Sequence, residues 1–374
     1  MSGEDAASLF YDEERFERTG VAPLRVQETL FGRGGVQGMD DLPHRRRKEM
    51  FLSLMSVESI ARLADLSDGQ WRAYATRWAK RDQVVLFDEA CEILCRAVCV
   101  WAGVPLAEAD VQKRTRDFVA MIEAGAAVGP RHWRGRLARN RTEGWIGGLV
   151  NQVRAQSPPS DEGDALQVIA RHRDAQGRLL NSELAAVGLI NLLRPTVAIA
   201  WYVTFAALAL YQHPECRARL LTGEAEYREW FVQEVRRYYP FFPAVAARTR
   251  KEFDWKGYHF PHGTRVLLDL YGTDHDARLW ERPDVFLPER FRHWNRSAFN
   301  FVPQGGGEHR TGHRCPGEWI TIELMKGAVA FMSAGMHFDV PQQDLRINLS
   351  RIPTIPKSRF VIKQVRLNSR GERE

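Results

Sequence analysis

Apolar side chains recur at three- and four-residue steps through residues 57–79 and 84–101, the spacing that lines one face of an α-helix. The stretch 184–211 is different: it is apolar nearly all round, interrupted by Asn191, Arg194, Pro195 and a few hydroxyls. Its longest uncharged run, 196–211, falls short of the roughly 20 residues a bilayer span needs. An arginine near its centre would cost about 3 kcal/mol in lipid. A long helix buried inside the protein is therefore predicted, with Asn181 as its N-cap and Glu183 favourable in its first turn. Strand patterns come later, at 246–253, 258–260 and 264–270, broken by Gly257 and Gly263, with further short strands between 336 and 365. Residues 156–164 (QSPPSDEGD) read as a linker between helices. No solenoid repeat or low-complexity tract is visible. The pattern predicts a mainly α fold with small β-sheets, residues 1–374 forming one domain.

Composition changes this picture little. The 374 residues are 44% hydrophobic and 27% charged, enough for a substantial core, although length alone would allow two domains. The formal charge is +6, and the basic residues gather at 44–48 (HRRRK) and between Arg131 and Arg141. No nucleic-acid recognition motif accompanies either run, which leaves solvated faces or anion-binding positions. Five cysteines are an odd number and too few for a disulfide scaffold. Cys91, Cys95 and Cys99 would share a helix face, yet no histidine or second thiolate pair completes a metal site; small buried hydrophobes are expected. The N-terminus, MSGEDAASLF, has no signal-peptide profile, and a reducing cytoplasm suits the cysteine content. GRGG at 32–35 reads as a turn, being too weak a motif for phosphate binding.

The chemistry concentrates in residues 301–317, FVPQGGGEHRTGHRCPG. Consecutive glycines permit close approach of the backbone to a flat ligand. Cys315 lies just before a helix expected from Glu318, where backbone N–H groups favour a thiolate and lower its pKa. The loop lacks the Gly-Lys-Ser/Thr ending of a phosphate cradle, and taken alone it could be a surface turn carrying an incidental cysteine. Upstream, Glu234 and Arg237 stand one helical step apart in QEVRRY, and PERF follows at 288–291.

The order of these three motifs resembles the ExxR helix, PERF segment and cysteine loop of the cytochrome P-450 family. The resemblance implies a haem b (iron protoporphyrin IX) whose iron is ligated by Cys315, and a buried ion network of Glu234, Arg237 and Arg290. The loop departs from the family pattern: Glu308 and Thr311 stand where phenylalanine and glycine are usual, and Gln304 lies near the usual aromatic position. With QGMD from Gln37, HRRRK from His44, LRP at 193–195 and YYP at 238–240, these departures are similar to the bacterial fatty-acid peroxygenases, from about residue 1 to Arg366. His44, Lys48 and His313 match haem-propionate contacts. Family members begin with a further helix and strands, which this chain is expected to lack.

The resemblance places Arg194 and Pro195 where conventional members carry an acid–threonine proton relay; Thr196 follows without an acidic neighbour. Proline frees space in a helix, and arginine offers a planar fork for a carboxylate. What is implied is hydroxylation of a long-chain fatty acid at its α or β carbon by hydrogen peroxide. The substrate carboxylate on Arg194 serves as general acid/base, and neither redox partner, nucleic acid nor membrane anchor is needed. Leu30, Phe31, Gln37, Phe241 and Phe242 are expected along the acyl channel. Alkene-forming relatives tend to carry histidine at the Gln37 position, so glutamine favours hydroxylation over decarboxylation. A reductase-fed monooxygenase and a non-catalytic fatty-acid-binding haem protein remain as rival readings.

Overall fold

A computed structural model describes residues 1–157 and 163–368; most of the expected linker lies outside them. The helices are α1 (Glu4–Phe10), α2 (Leu24–Val26), α3 (Asp41–Ser53), α4 (Val57–Trp78), α5 (Leu86–Trp101), α6 (Val111–Ala124) and α7 (Pro130–Arg154). They continue with α8 (Ala165–Ala170), α9 (Ser182–Gln212), α10 (Pro214–Leu221), α11 (Ala225–Tyr238), α12 (Leu270–Asp274) and α13 (Glu318–Ala330). The strands are β1 (Phe16–Glu17), β2 (Gln83–Val85), β3 (Ala244–Thr249), β4 (Phe253–Trp255), β5 (Tyr258–Phe260), β6 (Arg265–Asp269), β7 (Met336–Asp339) and β8 (Val361–Leu367). Their antiparallel pairings make small sheets in the orders β1-β3-β6, β2-β8-β7 and β4-β5. The fold is mainly helical with small sheets.

Helix α9 organises the core. At about 1.5 Å per residue it is roughly 46 Å long, and 24 of its 31 residues are buried. An all-round apolar helix needs cover on every side, and α5, α6, α7, α11 and α13 supply it. Asn181 caps it as predicted, its Oδ1 accepting from the Leu184 N–H at 2.7 Å. By length and composition α9 could cross a membrane, but its most apolar window is 83% buried within the protein. Cys91, Cys95 and Cys99 lie in this core beside Trp201 and Phe87.

Two segments depart from the hydrophobic pattern. Residues 83–85 are not helical: Gln83, Val84 and Val85 pair with Lys363, Ile362 and Val361, so α5 starts only at Leu86. Two adjacent β-branched residues beside an open strand settle the contest in favour of the sheet. The expected strand 246–253 is likewise divided. Its first part pairs with β6, while Phe253–Trp255 turns into a hairpin with Tyr258–Phe260. Lys256 and Gly257 both take positive φ, 47° and 79°, the geometry of a tight two-residue hairpin turn.

Replacing Asn181 with alanine removes the cap of the longest helix and should lower unfolding stability by about 1 kcal/mol. A urea titration of the wild type and Asn181→Ala, with m unchanged, checks it.

Candidate active site

The glycine loop before Cys315 is tied down by its backbone. Val302 N–H donates to Asp274 Oδ1 at 2.9 Å, and Gly307 N–H to the Ala298 carbonyl at 2.9 Å. Gly305 and Gly307 hold φ of +89° and +82°, which side chains rarely adopt. The ring of Tyr11, on the chain after α1, packs against these glycines. A Cβ at Gly305 would stand 2.9 Å from Tyr11 Oη, and one at Gly307 3.1 Å from Tyr11 Cβ.

Around Cys315 the loop and helix α13 build a charged nest. Gln304 Nε2 lies 3.6 Å from Cys315 Sγ and donates to Thr321 Oγ1 at 3.1 Å, while its Oε1 accepts from Arg236 Nη2 at 3.0 Å. Glu318, in the first turn of α13, is gripped by Arg236 at 2.5 Å and Arg314 at 2.6 Å. The expectation of a lowered thiol pKa fails for the protein by itself. Burial pushes the Cys315 thiol up, Glu318 adds to this, and the Gly317 N–H, Lys48 and Arg236 only partly oppose it. A metal ligand is deprotonated by the metal itself, so the helix terminus supports the thiolate without creating it.

His44, Lys48 and His313 converge next to this loop. The imidazoles of His44 and His313 stack at 4.0 Å between centroids, and His313 Nε2 lies 3.4 Å from Asp40. Burial, then the nearby His313 and Lys48 charges, holds His44 down to about 3. Asp40 accepts from Thr19 Oγ1 at 2.7 Å and from the Arg18 and Thr19 N–H groups; against the cost of burial, these bonds and His313 keep its carboxyl well below the usual range. Lys48 donates to the carbonyls of Gly312 and, at 2.7 Å, Arg314, with burial pulling it down to about 8. The basic run is thus mixed, with His44, Arg47 and Lys48 buried and Arg45 and Arg46 exposed.

Glu234, Arg237 and Arg290 meet in a solvent-free network. Arg237 forks onto both Glu234 oxygens at 2.8 Å, and Arg290 Nε reaches Glu234 Oε2 at 3.1 Å. The remaining donors are used: Arg237 bonds the carbonyls of Asp274 at 2.8 Å and Pro283 at 2.9 Å, and Arg290 those of Glu281 at 2.6 Å and Val285 at 2.9 Å. Leu287 N–H completes the shell of Glu234 at 2.8 Å. One carboxylate thereby pins α11 to the segment containing PERF.

On α9, Arg194 is buried and no acidic partner accompanies it among the described residues. Its Nη2 donates to Asn191 Oδ1 at 3.3 Å, and its Nε has no hydrogen-bond partner. Burial first, and then the Arg139 charge, push it down to about 9, with Cys315 acting the other way, so it stays cationic at neutral pH. Pro195 follows inside an unbroken helix. The Thr196 hydroxyl donates back to the Leu192 carbonyl at 2.9 Å. Leu30, Phe31 and Gln37 are gathered here, since Asn191 Nδ2 donates to the Phe31 carbonyl at 2.7 Å and lies 3.5 Å from Gln37 Oε1. Phe241 and Phe242 border a cleft with Tyr202 and Pro303. Tyr202 is eight residues, roughly 12 Å of helix, beyond Arg194, and it packs its ring 4.9 Å from that of Phe241. Asn191, Arg139, Arg236 and Glu318 escaped the sequence reading. Asn191, one helical turn before Arg194 in an otherwise apolar helix, was the one legible signal among them.

A family model described as Cytochrome P-450 matches residues 128–348. The chain belongs to the cytochrome P-450 family and is an oxidoreductase of that family. Among curated relatives, Rhazimal synthase of Alstonia scholaris is 28% identical over 48% of this chain and 40% of its own length. Putative cytochrome P-450 137 of Mycobacterium tuberculosis is 24% identical over 90% of this chain and 74% of its own. The chain thus spans well under half of the plant relative. Solved structures agree over far more. Cytochrome P450SP alpha (CYP152B1), in complex with (R)-ibuprophen, is 48% identical over 98% of this chain and 90% of that one, with a TM-score of 0.95. Cytochrome P450EX alpha (CYP152N1), with myristic acid, is 45% identical at a TM-score of 0.94, covering 98% and 89% of the two chains. A variant of cytochrome P-450 OleT in complex with arachidonic acid is 36% identical, also at 0.94, covering 98% and 88%. The similarity to the fatty-acid peroxygenases read from the motifs holds through this group.

The family's cofactor is an iron protoporphyrin IX haem, and the residues present suit one. Cys315 offers a soft sulfur ligand, and the buried Lys48 and His44 with the partly buried His313 would supply the donors for the carboxylates of a macrocycle.

Glu234→Gln leaves two buried arginines without their counter-charge and should cost about 3 kcal/mol or more, read as a lowered thermal midpoint together with loss of retained haem on gel filtration. A second outcome concerns pH. The folded chain keeps His44 neutral down to about 3, whereas an unfolded histidine protonates near 6.5. Stability should therefore fall as pH drops from about 6.5 towards 3, by up to about 1.4 kcal/mol per pH unit from this group. His172, His275, His309 and His313 are shifted in the same direction, each by burial first. Denaturation midpoints between pH 5 and 7 should show a shallower slope in His44→Phe.

Proposed function

We propose that the chain, acting as one haem-thiolate unit over residues 1–374, hydroxylates long-chain fatty acids at the α or β carbon with hydrogen peroxide. The observation that carries this reading is Arg194, a buried guanidinium with no carboxylate partner among the described residues and an unpartnered Nε. An isolated buried cation is costly unless it is paired, and a fatty-acid carboxylate arriving in the channel supplies the missing charge. The binding of myristic and arachidonic acids in related structures supports the same class of ligand.

Bound haem, ligated by Cys315, supplies the redox chemistry, and a thiolate ligand favours O–O cleavage. The protein positions the substrate. Arg194 holds the carboxylate in bidentate fashion, leaving one oxygen turned towards peroxide. That oxygen accepts a proton from hydrogen peroxide and returns it to the departing oxygen as water forms, so that a C–H bond and hydrogen peroxide become an alcohol and water. The chain's own hydroxyl does not serve this relay, because Thr196 spends its proton on the Leu192 carbonyl. With the acid contributed by substrate, no reductase or ferredoxin is required, and the enzyme works free in the cytoplasm, without a membrane anchor or nucleic acid.

Decarboxylation to a terminal alkene is the second reading, since a decision between products rests on what surrounds the carboxylate, and the OleT match keeps it in view. Gln37, beside Asn191, is a neutral amide with no proton to give, which favours the hydroxy acid.

The test is turnover of purified haem-loaded protein with myristic acid, peroxide against NADPH plus redox partners, products identified by mass spectrometry. Hydroxy acids with peroxide alone are expected, falling about 100-fold or more in Arg194→Ala. A dominant terminal alkene would reverse the reading of Gln37. Activity only with a reductase would overturn substrate-assisted peroxygenation, and inactivity with an intact thiolate spectrum would leave a binding protein.

A further inference from the structure

The segment that carries Leu30 and Phe31 is a short π-helical turn, Gln27–Phe31, that ends at Gly32 and leads into the Gly34–Gly35 turn. Successive carbonyls of this segment are held by side chains from different helices. Arg139 of α7 donates from Nη1 to the Leu30 carbonyl at 3.2 Å, and its Nε is anchored to Glu143 Oε1 at 2.5 Å. Asn191 of α9 donates to the Phe31 carbonyl at 2.7 Å. The fit is close enough to require glycine: at Gly32, with φ of +79°, a Cβ would lie 2.0 Å from Arg139 Nη2 and 2.7 Å from Val187 Cγ1. At Gly35 it would lie 3.2 Å from Asn191 Nδ2.

Asn191 differs from Arg139 in one respect: its other amide atom faces the reacting end. Its Oδ1 accepts from Arg194 Nη2 at 3.3 Å, in line with its grip on the wall. A single side chain thus joins the carboxylate-binding guanidinium to the segment bearing Leu30 and Phe31. An amide is suited to the task because it donates at one end and accepts at the other. A carboxylate in its place would accept from Arg194 but would lose the donor to the wall and compete with substrate for the guanidinium.

Building on the carboxylate reading of Arg194, we propose that Asn191 is a positioning residue that fixes Arg194 relative to the channel wall. It thereby sets how far the acyl chain projects and which carbon is attacked. Arg139 seconds it from α7, acting on the wall alone. A displacement of about 1 Å between anchor and wall is enough to misplace a reacting carbon, and the separation of the α and β carbons is little more than that.

The experiment uses the haem-loaded full chain and calorimetric titration with myristate and with 1-tetradecanol, in the wild type, Arg194→Ala, Asn191→Leu and Asn191→Asp. Products formed with peroxide are analysed for their α:β ratio, and thermal midpoints are recorded. Asn191→Leu, nearly the same size, should weaken myristate about 10-fold and shift the α:β ratio, with kcat less affected than KM and the melting midpoint near that of the wild type. Asn191→Asp should weaken myristate further while leaving tetradecanol unaffected, because only the carboxylate competes for Arg194. Arg139→Lys, which keeps the charge and loses the fork, should alter the α:β ratio without the selective loss of myristate over tetradecanol. Unchanged affinity and product ratio in Asn191→Leu, alongside a large loss in Arg194→Ala, would overturn the positioning role and leave the carboxylate reading standing. Equal myristate affinity in wild type and Arg194→Ala would overturn both.

Discussion

A guanidinium placed midway along an apolar helix imposes its terms on everything near it. Arg194 stays cationic at neutral pH although it is buried. Helix α9 tolerates the charge because the compensation is distributed between an amide oxygen from Asn191 and a cysteine within electrostatic reach. The neighbouring Arg139 makes the site more cationic; its charge is paired with Glu143, although its Nη2, like Arg194 Nε, has no hydrogen-bond partner, so the unpaired charge remains at Arg194. The proposed carboxylate site at Arg194 thus rests on electrostatics before any catalytic argument is made.

The cysteine side of the molecule shows the opposite balance. Glu318 sits at the start of α13, near a sulfur that must carry negative charge, and would repel it if left alone. Arg236 and Arg314 neutralise it, and Gln304 relays Arg236 to the sulfur through a side-chain amide. The Glu234 network then holds α11, from which Arg236 projects, against the loop following α12. The two ion clusters share the same helix. Rigidity of α11 is therefore transmitted to the donor set behind Cys315, in the manner of outer-shell control of a metal ligand.

The motifs that mark the family could be read from the chain because each is local. QEVRR lies on one helical turn, PERF is a contiguous segment, and the cysteine loop announces itself by its glycines. The long buried helix and its cap were equally legible, since uniform apolarity and an asparagine before a helix start are features of neighbouring residues. Less visible was anything depending on partners far along the chain. The strand at Gln83–Val85 exists because residues 361–363 lie alongside it. Asn191 acquires its role from a carbonyl 160 residues away. The tight glycines of the cysteine loop also accommodate Tyr11, about 300 residues upstream, a neighbour their composition could not name.

By itself, then, the order of residues determined the long helices, the candidate ligand cysteine and the arginine of the central helix, because each rests on periodicity or on a short motif. Tertiary structure decided the electrostatic outcome. Whether the thiol at Cys315 is raised or lowered depends on how burial and Glu318 weigh against Gly317, Lys48 and Arg236. Whether Arg194 is paired depends on which acids the fold brings near, and among the described residues it brings none. Charge interactions act through space and fall with distance and solvent exposure, so they become definite only when the chain has closed around them.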